Sequence, residues 1–196
     1  MFMPRFRRNA LVWPAAILAT LTAIESSAAP LPVLGKSPDF TISEPSGKST
    51  RISSFRGKVV VMEFFFLQSN HCTRVAKMLN QLRQEMAPRG FEAVGVVFDP
   101  PNAPESHGEL VAPAVNFFKL TYPVGYSSKA DVDTYLRRQP REVLNIPQII
   151  VIDRAGMIRA MSGPAGGDPR LEDESSLRSL IEGLLKEGDA SNGRKE

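Results

Sequence analysis

A continuous apolar run followed by a regularly spaced apolar pattern marks the central part of the chain. Residues 59–66 read VVVMEFFF, a β-branched and aromatic run typical of a strand that is buried on both faces. A polar break follows at residues 68–71, and Cys72 then opens a segment with helical periodicity. The pattern predicts a strand, a tight turn and a helix that ends at Pro88 and Gly90. The apolar positions of that helix, spaced mostly three or four residues apart, are Val75, Met78, Leu79, Leu82 and Met86.

The segments on either side of this unit predict the rest of an α/β domain. Residues 91–98 form a second apolar run, and the order strand, helix, strand indicates a parallel βαβ unit. The other predicted elements are short strands at 39–42 and 50–52 around a turn, helices at 113–120 and 130–138, an extended piece at 121–124, strands at 148–153 and 157–162, and a final amphipathic helix marked by Leu177, Leu180, Ile181, Leu184 and Leu185.

The first 28 residues have the three-part layout of a secretory signal peptide. Three arginines lie within residues 1–9, an apolar stretch occupies residues 10–24, and small residues follow. We therefore expect cleavage after Ala28 and export to the periplasm or the extracytoplasmic face of a bacterial membrane. An uncleaved anchor is the alternative, disfavoured because the apolar stretch is short and contains Pro14. The predicted organisation of the remainder is a linker at 29–37, one folded domain at 38–187 and a charged, disordered tail at 188–196.

Charge and cysteine content narrow the classes of function. The chain has a formal net charge of +3, but residues 1–28 hold three arginines and one glutamate, so 21 basic and 20 acidic residues follow them. That near-neutral balance, with no basic stripe in the sequence, argues against nucleic acid as a partner. The single cysteine cannot form an internal disulfide. In an oxidising compartment such a thiol is free, buried or paired with another molecule.

Three residues of the strand–turn–helix unit are candidates for chemistry. Cys72 lies in the predicted first helical turn, where the helix dipole favours a thiolate, and a small buried hydrophobic residue is the equal alternative. Ser69 suits a helix N-cap better than a nucleophile, since nothing near it in the sequence would take its proton. Glu63 interrupts an otherwise apolar strand, which predicts a buried carboxyl with a raised pKa rather than a side chain that reaches solvent at a sheet edge.

The same unit carries a resemblance to a known family. An apolar strand with an acid at Glu63, the aromatic pair Phe64-Phe65 and the motif Ser69-Asn70-His71-Cys72 resemble the redoxins of the TlpA/ResA type, exported relatives of thioredoxin in the AhpC/TSA-redoxin superfamily. The resemblance extends over residues 38–185. It implies a thioredoxin-like α/β fold with a central mixed β-sheet, helices on both faces and an N-terminal β-hairpin. The motif departs from the family's Cys-x-x-Cys at Ser69, where the attacking cysteine is missing.

The resemblance also implies roles for individual residues. Cys72 takes the position of the second, less exposed cysteine, with Glu63 beneath it as a proton acceptor. We expect this thiol and carboxyl to titrate as a coupled pair, and the influences that raise the thiol pKa to prevail. Pro147 takes the position of a cis-proline that borders the groove for a substrate strand. The residues that line this groove by resemblance are Asn70, His71, Ile146 and Pro147.

The leading functional prediction is an exported, thiol-disulfide oxidoreductase-like redoxin that acts through Cys72 alone. Its partner is a thiol- or disulfide-containing protein or a small thiol, with a mixed disulfide as intermediate and an external thiol for turnover. No cofactor and no metal are expected, because copper-binding relatives need two cysteines, and the chain has one cysteine with only His71 and His107. We expect a monomer that contacts a membrane only if its N-terminal segment is uncleaved.

Two other functions stay open at the level of sequence. A peroxiredoxin-like one-cysteine peroxidase, an antioxidant activity, fits Ser69 three residues before Cys72. However, peroxiredoxins have proline at the position of Phe65, and arginine at or beside the position of Pro147. A non-catalytic redoxin that binds a peptide or protein partner fits the loss of the first motif cysteine, and the fold alone does not decide between the three.

Overall fold

The structure, a computed structural model, describes residues 32–99, 107–139, 142–163 and 168–192. The predicted signal peptide at residues 1–28 lies outside these ranges. Within them, no helix combines the length and the apolar composition needed to cross a membrane.

One fully buried strand lies at the centre of the domain. β4 (Val59–Phe65) pairs in parallel with β5 (Phe91–Val97) on one side and antiparallel with β7 (Gln148–Ile152) on the other. Every residue of these three strands is buried. Such continuous apolar runs form where both faces of a sheet are covered and no position faces solvent. The three strands predicted from these runs are confirmed to within one residue at each end.

The outer strands complete an eight-stranded sheet. They are β1 (Gly35–Lys36), β2 (Thr41–Ser43), β3 (Ser49–Arg51), β6 (Val124–Tyr126) and β8 (Met157–Met161). The strand order is β1-β8-β7-β4-β5-β6-β2-β3. The β4–β5 and β5–β6 pairs are parallel and the pairs toward both edges are antiparallel, which confirms the predicted mixed sheet. The β2–β3 pair is the N-terminal hairpin.

Helices cover both faces of this sheet. The α-helices are α1 (Asn70–Met86), α2 (Val111–Phe118), α3 (Lys129–Tyr135), α4 (Pro169–Glu172) and α5 (Glu174–Asn192). Buried side chains of α1, α2, α4 and α5 share one core layer, and those of α3 belong to the other. The predicted α/β fold with helices on both faces is therefore confirmed.

The pleat of β4 decides which core layer each of its residues enters. The odd-numbered apolar residues of β4 lie in the layer with α1 and α5, and the even-numbered ones lie in the layer with α3. Since successive strand residues point to opposite faces, Glu63 lies on the face that α1 covers. The strand thereby directs a carboxyl toward the helix that carries Cys72.

Two boundaries predicted from the sequence are wrong. The predicted linker at 29–37 contains β1, whose residues pair with Ile158 and Met157 of β8. A two-residue strand is too short to show periodicity, so the pattern does not reveal it. The disordered tail predicted from residue 188 is wrong up to Asn192, where α5 ends. Residues 188–192 are small or polar and show no apolar period that would extend the helix; residues 193–196 of the tail lie outside the described ranges.

The close approach of β6 to β2 predicts a large effect of a single methyl group. A β-carbon on Gly125 would lie 2.8 Å from the Ser43 carbonyl oxygen and 2.9 Å from the Ile42 β-carbon. Because backbone does not yield as a flexible side chain does, Gly125→Ala should lower the free energy of unfolding in urea by about 1–3 kcal/mol. At Gly163, a β-carbon would meet no described atom within 4 Å. Gly163→Ala is therefore a control that should change the free energy of unfolding by less than about 0.5 kcal/mol. Equal effects would contradict the close approach.

Candidate active site

Ser69 ends the turn after β4 and caps α1. Its backbone is extended, with φ −89° and ψ 114°, and its Oγ accepts a hydrogen bond from the Cys72 backbone N–H at 3.3 Å. Its carbonyl oxygen accepts another from the N–H of Thr73 at 3.0 Å. These bonds satisfy N–H groups that a helix start otherwise leaves unpaired, so the N-cap interpretation of Ser69 is confirmed.

Cys72 lies in the first turn of α1 and is completely buried. Burial, the largest influence on the thiol, raises its pKa to about 11. Hydrogen bonds with the Ser69 side chain and the Phe66 backbone favour the thiolate without offsetting burial, and the charge of Glu63 disfavours it further. The raised pKa agrees with the prediction that the upward influences prevail and disfavours the alternative of a thiol with a lowered pKa.

Glu63 is the buried acid that the sequence predicts. Its side chain is fully buried, and neither carboxylate oxygen has a hydrogen-bond partner among the described residues. Burial raises the pKa of this carboxyl well above 4.5, and the charge of Glu172 raises it further. The carboxyl therefore keeps its proton to a higher pH than an exposed glutamate does.

Tyr122 is a third ionisable group close to Glu63. Its hydroxyl donates a hydrogen bond to the carbonyl oxygen of Ala76 at 3.3 Å. Burial, and then the charge of Glu63, raise the tyrosine pKa well above 10. Sequence reasoning missed this neighbour, because a tyrosine in the segment before β6 looks like any core aromatic residue. The structure thus brings Cys72 of α1, Glu63 of β4 and Tyr122, which precedes β6, into one poorly solvated region.

His71, the next residue of the motif, pairs with an acid from a distant part of the chain. Its Nε2 lies 2.6 Å from Oε2 of Glu172 on α4. The histidine side chain is 43% exposed and that of Glu172 is 13% exposed, so the pair connects the surface with the interior. The second oxygen of Glu172, Oε1, is buried and has no partner among the described residues.

Sequence reasoning missed Glu172, since α4 has no counterpart among the predicted elements. A local signal exists: Asp168 precedes Pro169, a helix cap followed by a proline that fits the first helical turn. The structure shows this cap, with the Asp168 side chain accepting a hydrogen bond from the Arg170 N–H at 3.0 Å. The signal predicts a short helix, but it does not predict that the helix ends against His71.

The residues expected to border a substrate groove lie in different environments. The Ile146–Pro147 peptide bond is cis, which confirms that prediction, and Pro147 is buried. Asn70 is exposed and His71 is half-buried at the start of α1. A cleft of about 450 Å³ does open beside His71, but α1 and the segment around α4 line it. The role of Asn70, Ile146 and Pro147 as a substrate groove stays a prediction.

In the part of the chain that the structure describes, no group of three or more histidine, cysteine, aspartate and glutamate side chains could hold a metal ion. The His71–Glu172 contact brings together two such side chains.

The environment of Cys72 predicts slow alkylation near neutral pH. A thiol with a pKa of about 11 is ionised at pH 7 roughly 300-fold less than an ordinary thiol of pKa near 8.5. Reaction of the native protein with iodoacetamide, followed by mass spectrometry, should therefore accelerate about tenfold per pH unit from pH 7 to about 10. The chain unfolded in urea is the control and should level off above about pH 9. A native profile that levels off at the same pH would contradict the raised pKa.

The buried carboxyl predicts a stability that depends on pH. Because the folded-state pKa of Glu63 is raised, the folded chain binds this proton more tightly than the unfolded chain does, so wild-type stability falls as the pH rises above 4.5. The contribution is at most about 1.4 kcal/mol per pH unit. In urea denaturation, the free energy of unfolding of Glu63→Gln should therefore rise relative to that of the wild type as the pH increases above 4.5.

A second buried acid provides the control for this effect. Glu92 is held by Lys58 at 3.1 Å and Arg83 at 3.0 Å. Glu92→Gln should lower the free energy of unfolding at neutral pH, because it leaves two cations without their partner. A constant difference between Glu63→Gln and the wild type at all pH values would show that the Glu63 carboxyl is not perturbed by burial.

Comparison with known proteins finds a family to which this chain is similar. A family model described as the AhpC/TSA family matches residues 33–161. The chloroplastic peroxiredoxin Q of Suaeda salsa is 26% identical over 129 residues, which are 62% of this chain and 55% of that protein. The chain thus spans about half the length of this relative.

Solved structures of low sequence identity show the same fold. The thioredoxin domain of a thiol-disulfide oxidoreductase from Bacteroides vulgatus has a TM-score of 0.58 and 22% identity, over 78% of this chain and 99% of that one. A thioredoxin family thiol:disulfide interchange protein from Chlorobium tepidum has a TM-score of 0.60 and 21% identity, over 77% and 96%. The family match extends over more than half of the chain and agrees with this fold, so the chain is a thioredoxin-fold member of the AhpC/TSA family.

Proposed function

We propose that the chain is an exported redoxin of the TlpA/ResA type that exchanges thiols and disulfides through Cys72 alone. The observation that carries the proposal is the place of this thiol: the first turn of α1, after the central strand, on the sheet face toward which Glu63 points. The names of the two similar solved structures, a thiol-disulfide oxidoreductase and a thiol:disulfide interchange protein, support the same chemistry. The partner is a thiol- or disulfide-containing protein or a small thiol.

The reaction is a single exchange. The Cys72 thiol gives up its proton, and the thiolate attacks one sulfur of a partner's disulfide. The partner's S–S bond breaks, its other sulfur leaves as a thiolate and takes a proton, and Cys72 holds the first sulfur in a mixed disulfide. An external thiol then attacks the partner's sulfur, forms a new disulfide with it and returns Cys72 as a thiol.

The surroundings of Cys72 make this exchange slow and its product long-lived. With a pKa of about 11, little of the thiol is ionised at neutral pH, which limits the first attack. The same property makes the Cys72 thiolate a poor leaving group when an external thiol attacks the mixed disulfide. Glu63 lies on the correct face to accept the proton from the thiol or to return it to the leaving sulfur.

Export is the part of the proposal that rests on the N-terminal sequence. The charged, apolar and small-residue regions of residues 1–28 support a signal peptide. A compartment outside the cytoplasm is oxidising and would supply the disulfides with which a lone thiol exchanges.

A one-cysteine peroxidase is the second candidate. The similarity to peroxiredoxin Q and the place of Ser69 three residues before Cys72 favour it. In that reaction the thiolate attacks the O–O bond of a peroxide, becomes a sulfenic acid and releases water or an alcohol after protonation. It ranks second because two other peroxiredoxin features are missing: Phe65 stands where those proteins have proline, and Pro147 stands at or beside the position of their arginine.

Oxidised glutathione tests the proposed exchange directly. Near pH 9 the wild-type protein should gain one glutathione, visible in its intact mass and removed by dithiothreitol, while Cys72→Ser should gain none. Because Ser69 Oγ lies close enough to accept a hydrogen bond from the Cys72 N–H, Ser69→Cys should form an internal disulfide with Cys72. That variant should accelerate insulin reduction by dithiothreitol, whereas the wild type and the control Ser69→Ala should not exceed the reductant alone.

The other results of this experiment separate the alternatives. Catalytic reduction of insulin by the wild type would refute the single-cysteine mechanism. Consumption of hydrogen peroxide together with a sulfenic acid on Cys72 would favour the peroxidase. A wild-type protein that forms neither adduct would favour a non-catalytic redoxin that binds a peptide or protein partner.

A further inference from the structure

Three buried carboxylate oxygens lack hydrogen-bond partners among the described residues. They are both oxygens of Glu63 and Oε1 of Glu172. Buried polar atoms are almost always hydrogen-bonded, so each such atom calls for an explanation. The two carboxyls also influence each other, because the charge of Glu172 disfavours the ionised form of Glu63. A proton held by one of the two carboxyls relieves this repulsion and supplies a donor for the unpaired oxygens.

The cleft beside α4 reaches this buried region through one acid. Its ionisable lining residues are His71, Arg74, Glu172, Asp173 and Glu174. Asp173 accepts hydrogen bonds from the hydroxyl and a backbone N–H of the serines that follow it, at 2.6 and 2.9 Å. Glu174 pairs with Arg178 at 2.9 Å. Of the three lining acids, Glu172 is the one that joins a contact at the cleft to an unpartnered buried oxygen.

His71 provides the contact with solvent. Its Nε2 is 2.6 Å from Oε2 of Glu172, while 43% of its side chain is exposed. An imidazole ring can accept a proton at one nitrogen and release a proton from the other. Tyr122, the other ionisable neighbour of Glu63, is buried and donates its hydroxyl proton to the carbonyl oxygen of Ala76. Glu63 lies on the sheet face that α1 covers, and Glu172 contacts His71, the residue before Cys72 at the start of that helix. The His71–Glu172 pair therefore lies between the cleft and the helix end that carries Cys72.

We propose that His71 and Glu172 form a proton-exchange path that links the solvent in this cleft with the buried carboxyl of Glu63 and, through it, with the Cys72 thiol. The link to Cys72 rests on the proposed function, in which the thiol must lose and regain a proton. His71 and Glu172 are positioning residues, because they act on the thiol through Glu63.

The path conserves one proton at every step. Because Glu63 holds a proton, it first passes that proton to Glu172, and Oε2 of Glu172 passes one to Nε2 of His71. The Glu63 carboxylate left behind then takes the proton from the sulfur of Cys72. The second ring nitrogen of His71 releases a proton to water in the cleft. The steps run in reverse when a leaving Cys72 thiolate is reprotonated, and no oxidant or reductant takes part.

Infrared spectroscopy measures this exchange without any reaction at Cys72. Near pH 5, above the ordinary carboxyl pKa of 4.5, the protonated Glu63 should give a carbonyl stretch that disappears in Glu63→Gln. On transfer of the full protein to D₂O, this band shifts as the carboxyl proton exchanges for deuterium. The half-time of the shift reports how fast the buried carboxyl exchanges its proton with solvent.

Two variants interrupt the path at different points. His71→Ala should lengthen the half-time at least about tenfold, and imidazole added to the solvent should restore it by entering the cleft. Glu172→Gln should slow exchange by at least about tenfold as well, but imidazole should not restore it, because the interruption lies between His71 and Glu63. Arg74→Ala, which changes an exposed residue of the same cleft, is the matched control and should leave the half-time within about twofold.

The outcomes separate a proton path from a structural contact. Unchanged half-times in both variants, or slow exchange in His71→Ala that imidazole does not restore, would overturn the proposal. Absence of a protonated-carboxyl band that depends on Glu63 would overturn it too. Cys72→Ser should keep the wild-type half-time, so a protein that forms no glutathione adduct but shows the expected exchange would refute the proposed function and leave the path intact.

Discussion

The burial of β4 on both faces is the constraint on which the rest of the structure depends. Each of its apolar side chains contributes about 1.5–3 kcal/mol when fully buried, and the strand has six of them around one acid. This gain holds β5 and β7 against the strand and packs α1 across one face. It also outweighs the cost of enclosing a carboxyl, which would otherwise drive Glu63 toward solvent. The start of α1, and with it the position of Cys72, is fixed by where this strand ends.

The burial of Glu63 affects the pKa values of the ionisable groups near it. Burial raises the pKa of Glu63, Cys72 and Tyr122, and neighbouring charges raise these values further: that of Glu63 acts on Cys72 and Tyr122, and that of Glu172 acts on Glu63. Glu63, Cys72 and Tyr122 therefore favour their neutral forms, and the Ser69 cap and the helix start do not reverse this for the thiol. The site therefore stores protons rather than negative charge. Burial limits the access of oxidants to the Cys72 thiol. Under the proposed function, the thiol reacts only when a neighbouring group can accept its proton.

The replacement of one motif residue changes what a redoxin of this family can do. With Ser69 in place of a cysteine, the first turn of α1 keeps its cap but loses the second sulfur needed for an internal disulfide. Under the proposed function, turnover then depends on an external thiol that attacks the mixed disulfide between Cys72 and its partner. His71 is turned toward Glu172, which gives this motif residue a partner on α4. Under the proposed function, the remaining chemistry is exchange through one thiol, and its rate depends on how readily that thiol loses and regains a proton.

The sequence by itself determined the parts of the molecule that depend on local spacing. The apolar runs specify β4, β5 and β7, helical periodicity specifies α1, and a serine before that helix specifies its cap. A glutamate among β-branched and aromatic residues already implies a buried carboxyl, since its neighbours leave a central strand no solvent-facing side. The two-residue strand β1 and the short helix α4 are too brief to show a period. Tertiary structure alone decided that Glu172 meets His71, because that contact joins residues far apart in the chain and depends on the path the backbone takes after β8.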